Sequence, residues 1–250
     1  MKNLFTNSQL KGLYIFSNKS NWKAILTYLE NVLGRNQFFF FFDSERGHHL
    51  KIFRETFDAQ QIDLIKHFLE TLPQSNPTLI EDPLFKNVPQ NTLLLLQYIP
   101  QSSNISYPEL LSSEYCINFC QQLSTIIIDA LHYNDFFIEE KNRINFAIQL
   151  IFMALVKANK EKIKLELEKT LGYNPHSLSS DSPLVSFYQN VQGIESEEEI
   201  EHWVVEWLII AAEFLNQTSL QTLVDIVCLL LEIRGFSTQL LLTAQAVLKK

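Results

Sequence analysis

At 250 residues, with 46 % apolar and 19 % charged side chains, the chain can build one large domain or two small ones and is too apolar to stay disordered. A net charge of −8 and a pI near 5.3 disfavour non-specific binding to nucleic-acid phosphates. The cysteine count of 3 is too low for a disulfide framework, which points to a reducing compartment. Cys116 and Cys120 lie on one predicted helix with no second pair to complete a ligand set, so they read as core thiols and no metal or other cofactor is expected. Met1–Leu13 lacks a basic-then-apolar signal sequence, and no apolar run reaches the roughly 18 residues a membrane span needs. A cytoplasmic protein without a membrane span is the expectation.

The first hundred residues alternate between strand and helix signals. Leu13–Phe16 is a short apolar strand, and Ser17–Asn21 is turn and cap chemistry. Trp22, Ile25, Leu26, Leu29, Val32 and Leu33 recur at helical spacing, and Gly34 closes that helix. The run Phe38–Phe42 belongs to a strand over about Gln37–Phe42 buried on both faces. A polar turn through Gly47 then leads into a returning strand, His49–Phe53. Asp58 is placed to cap a helix over Ala59–Leu72. After a proline-bearing loop, Leu93–Ile99 is the last strand. The order strand, helix, strand, strand, helix, strand is that of a ferredoxin-like βαββαβ sheet with helices on one face.

Beyond Pro100 the strand signals stop. Amphipathic helices are predicted over Tyr107–Tyr133, Glu139–Ala158, Lys160–Leu171, from a Ser196–Glu199 capping box to Leu215, Thr218–Arg234 and Thr238–Leu248. The expected class is therefore α+β: a ferredoxin-like sheet half over residues 1–100 and an all-helical half over residues 101–250, packed with the first as one unit.

No phosphate-binding glycine loop, nucleophile elbow, His-Glu-x-x-His or Cys-x-x-Cys occurs. The residues with most chemical content follow the Phe run: Arg46, His48, His49, Lys51 and Arg54. Strand alternation sends His49, Lys51 and Phe53 to one face and Leu50, Ile52 and Arg54 to the other, so His49 and Lys51 can act together and Arg54 cannot join them. An imidazole beside an ammonium suits anion binding. A polar hairpin with a basic edge is the plainer reading of the same residues. Tyr98 is a further candidate, against a tyrosine that anchors the sheet edge. Glu114 reads as a helix-dipole partner, Arg143 as a solvated helix start, and Trp203 and Trp207 as core.

The tryptophan-led helix, the Phe run, the short acidic turn and His49-Leu50-Lys51 resemble the C-terminal domain of lantibiotic dehydratases, which also occurs as stand-alone thiopeptide-type bacteriocin biosynthesis proteins. Tyr98-Ile99-Pro100-Gln101 and Tyr107-Pro108-Glu109, ahead of a long helix, are similar to a second family element. The resemblance spans nearly the whole chain. It implies glutamate elimination from a glutamylated Ser or Thr of a ribosomally made precursor peptide, or pyridine formation from two dehydroalanines. Elimination needs a base for the α-proton and cations for the leaving carboxylate.

The departures bear on that chemistry. A family arginine falls at Phe42, another at Phe53, and Lys51 replaces a third. The two glutamates of the second element are Ile99 and Gln101, and the late His-Met-x-x-Asn-Arg-Leu element is missing around Leu223–Cys228. The catalytic candidates are His49, Lys51 and Tyr98 and the substrate-binding candidates Arg46, His48 and Arg54; the resemblance leaves a role to His49 and Lys51, and to Arg46 or Arg54 only in a different local register. The leading expectation is a divergent stand-alone member that binds a precursor peptide, with a separate large dehydratase as a partner. An active glutamate-eliminating lyase or dehydroalanine-cyclising enzyme with a rebuilt site is the alternative, and an unrelated ferredoxin-like interaction module is a third.

Overall fold

The computed structural model describes residues 10–43, 48–73, 91–96, 113–133, 139–172, 183–192, 200–233 and 235–248. The chain divides into two compact units, Met1–Ile138 and Glu139–Lys250.

The first unit is built on strands β1 (Lys11–Phe16), β2 (Phe39–Asp43), β3 (His49–Arg54) and β4 (Thr92–Leu96), with helices α1 (Lys19–Leu33) and α2 (Ala59–Thr71) in the connections. The sheet is antiparallel throughout and ordered β2-β3-β1-β4, the strand order of the expected βαββαβ arrangement. Gly12 matters in β1 because a Cβ there would come within 3.2 Å of Tyr14 Cε1 and 3.4 Å of Phe53 Cε1. Its bare backbone lets those two rings close over the strand.

Helix α1 buries Trp22, Ile25, Leu26, Leu29 and Leu33, the stripe its spacing demanded. It starts earlier than Trp22, because Asn18 is already extended at φ −63° and ψ 151°, and it stops at Gly34, which takes φ +95°. Trp22 stacks on Phe42 at 5.0 Å and donates its indole N–H to Ser17 O at 3.1 Å, which pins the helix to the sheet at both ends of one side chain. Helix α2 lies beside α1, with Tyr28 stacked on Phe68 at 4.0 Å. Asp58 caps α2 through a complete capping box with Gln61, as its position suggested. Asp58→Ala is expected to cost about 1 kcal/mol of stability, read as a shift of the urea midpoint.

Helix α3 (Glu114–Leu131) runs along β2. The Phe40 N–H donates to Ser124 Oγ at 3.2 Å, so this edge of the sheet is closed by a helix hydroxyl. Arg35, just past α1, grips Asp129 of α3 through two contacts of 2.7 and 3.2 Å. Cys116 and Cys120 face inward, and burial pushes both thiols up.

The second unit contains α4 (Glu140–Lys157), α5 (Lys160–Leu171), α6 (Pro183–Gln192), α7 (His202–Gln217), α8 (Leu220–Leu230) and α9 (Ser237–Leu248). Helix α4 packs on α7, where Trp207 is fully buried and donates its indole N–H to Leu150 O at 2.8 Å. Lys162 of α5 reaches the C-terminal end of α7, bonding Leu215 O at 2.7 Å and the carbonyls of Asn216 and Thr218 at 3.3 Å. A cation there satisfies carbonyls that the helix leaves open. Cys228 of α8 is buried, and desolvation pushes its thiol up to about 11. Native protein is expected to label with a maleimide at neutral pH far more slowly than urea-unfolded protein; equal rates would show that the thiols are accessible.

Two sequence expectations are corrected here. Arg143 is not a solvated helix start: it is 4 % exposed, with its guanidinium 3.5 Å from Glu232, a residue at φ +56°. Its position in the first turn gave no sign of a partner almost ninety residues away. Helix α7 begins at His202 with Glu201 in the N-cap, where the Glu201 carboxylate accepts from the Trp203 indole. The Ser196–Glu199 box lies outside the described residues. Helix α6 was not expected from the sequence at all. No described helix is long and apolar enough to cross a membrane.

Candidate functional site

The chemistry-bearing hairpin is set by strand parity. Ser17 N donates to His48 O at 3.2 Å, which extends the β1–β3 ladder by one pair. Phe40 N faces away from β3 towards Ser124. Both observations fix the same phase: Phe41 pairs with Lys51, and Lys51 lies opposite Tyr14. In the next row Asp43 pairs with His49, and His49 lies opposite Phe16. One face of the sheet thus carries Asp43, His49, Lys51, Tyr14 and Phe16 side by side. The other carries Phe40, Phe42, Leu50 and Ile52 under α1.

The carboxylate is the centre of this group. Asp43 Oδ2 is in direct contact with Lys51 Nζ, and His49 Nε2 is 3.9 Å from the same oxygen. Asp43 is 3 % exposed and His49 2 %. The imidazole stacks on Phe16 at 4.8 Å and lies 5.7 Å from the Tyr14 ring. Lys51 Nζ is 5.5 Å above that same tyrosine ring, within cation–π range. Phe53 and Phe41, 5.2 Å apart, continue the aromatic floor towards Phe39.

His49 and Lys51 are therefore brought together, on the face that alternation required. Arg54 points to the opposite face, where its guanidinium donates to Gln61 Oε1 at 3.1 Å. Gln61 in turn donates to Val32 O at 3.2 Å, so Arg54 braces the start of α2 and the end of α1. His48 also faces away, with its ring edge-on to Trp22 at 6.2 Å. Arg46 and Tyr98 lie outside the described residues. The entry to β4 is held by a buried polar knot. Ser17 Oγ donates to Asn91 Oδ1 at 2.6 Å, Asn21 Nδ2 to Ser17 Oγ at 3.1 Å, and Asn91 Nδ2 to Leu72 O at 3.1 Å. Asn91 takes φ +56°, a conformation asparagine tolerates well.

Asp43, Tyr14 and Phe16 were not singled out from the sequence. An aspartate at the end of an apolar run and before a turn reads as turn chemistry. Only the pairing register puts it against His49 and Lys51. Chemically, the group is a carboxylate, an ammonium and an imidazole in an aromatic setting, with the carboxylate and imidazole buried and the ammonium partly exposed. With the imidazole neutral its charges cancel. Binding a substrate carboxylate at Lys51 would require that carboxylate to compete with Asp43. Among the described residues no group of His, Cys, Asp and Glu is arranged to hold a metal ion.

The first unit is a ferredoxin-like sheet of order β2-β3-β1-β4 and the second is helical, so the fold is α+β. Among solved structures, the chain is similar to the pyridine synthase TbtD from thiomuracin biosynthesis. The TM-score is 0.55 at 12 % identity, covering 96 % of this chain and 97 % of that one. At that identity the likeness is one of fold. No protein-family model matches the sequence, and no curated protein matches it.

Proposed function

We propose that this chain is a stand-alone lantibiotic-dehydratase-like protein of ribosomal peptide natural-product biosynthesis, and that it binds a precursor peptide without eliminating glutamate from it. The observation that carries the first half is the end-to-end likeness to TbtD, 96 % of one chain against 97 % of the other, in a protein whose hairpin already resembled that family. The second half rests on the charge at the hairpin. A glutamate-eliminating site needs cations free to receive a leaving carboxylate. Here family arginines are replaced by Phe42 and Phe53, both buried, and Lys51 is held by Asp43. In this reading the protein works in the cytoplasm beside a separate large dehydratase that modifies the same peptide.

A second reading has one specific observation in its favour: the structural neighbour is itself a synthase. In that reading His49, Lys51 and Tyr98 serve a cyclising or eliminating reaction with a rebuilt site.

One experiment separates the two. The protein is mixed with a fluorescently tagged Ser/Thr/Cys-rich precursor encoded next to its gene, and binding is followed by anisotropy. The glutamylated and dehydrated forms of that precursor are then incubated with the protein and analysed by mass spectrometry. Saturable binding with both peptide masses unchanged is the expected result. Loss of glutamate, or any other change of peptide mass, overturns the non-catalytic reading. Absence of binding to every form overturns the pathway assignment.

A further inference from the structure

We draw no further inference here: the strongest candidate, the outer edge of β4, where strand parity turns the backbone groups of Leu93 and Leu95 away from β1 and Leu95 is 42 % exposed, carries nothing because no feature of the structure shows what covers it.

Discussion

Phe40→Ala is expected to lower the free energy of unfolding by about 3–5 kcal/mol, the usual cost of emptying a phenylalanine site in a core that cannot collapse around the gap. Phe40 has no exposed surface and meets Phe42 edge-on at 5.2 Å on the face that α1 covers. Trp22, stacked on Phe42, would lose support from the same cavity. The backbone of Phe40 also carries the bond to Ser124, so relaxation of β2 into the void would pull on α3. Equilibrium urea unfolding gives the measurement, with the slope checked to be unchanged. A cost below about 1 kcal/mol would mean that β2 is not packed on both faces. Ser124→Ala is the companion: it removes the edge bond without opening a cavity, and its cost is expected to be much smaller, about 1 kcal/mol.

Lys51→Met carries the second large effect. It leaves the Asp43 carboxylate, whose side chain is 4 % exposed, without its ammonium. Removing one member of a buried ion pair costs about 3–5 kcal/mol, because the remaining charge keeps its desolvation penalty and loses its compensation. Lys51 itself is 14 % exposed, so water relieves part of that penalty and the lower end of the range is expected. The double variant Asp43→Asn/Lys51→Met is expected to be more stable than Lys51→Met alone, since a neutral amide then stands where the buried carboxylate had lost its ammonium. Additive costs in this cycle would show that Asp43 and Lys51 are not coupled. The cycle bears on function as well as folding. If Lys51→Met weakens folding while tagged-precursor binding persists in the folded fraction, Lys51 serves the sheet. If binding is lost at full foldedness, Lys51 contacts the peptide.

Much of the first unit was legible residue by residue. The Trp22–Leu33 stripe, the Asp58 cap, the Gly34 stop and the segregation of His49 and Lys51 from Arg54 all depend on local periods and local backbone preferences. These act over a few residues and leave a direct trace in the sequence. The second unit was less legible. Helix α6 has the sequence PLVSFYQNVQ, with no charge pattern to announce it, and lies after a serine-rich stretch. Its contacts with α4, such as Tyr188 edge-on to Phe152 at 6.1 Å, are tertiary. Arg143 reads as polar surface in any window of its own helix; its partner Glu232 lies in the turn just past the end of α8.

By itself the sequence determined the element types of the sheet half, the two-sided apolarity of the Phe run and which hairpin residues share a face, because each follows from the two- and 3.6-residue repeats of the backbone. Tertiary structure alone decided that the Phe run forms an edge strand closed by Ser124. It also decided that Asp43 sits against Lys51 and His49. Strand order and register join residues with no local relation, and only there does a buried carboxylate come to stand against the hairpin's lysine and histidine.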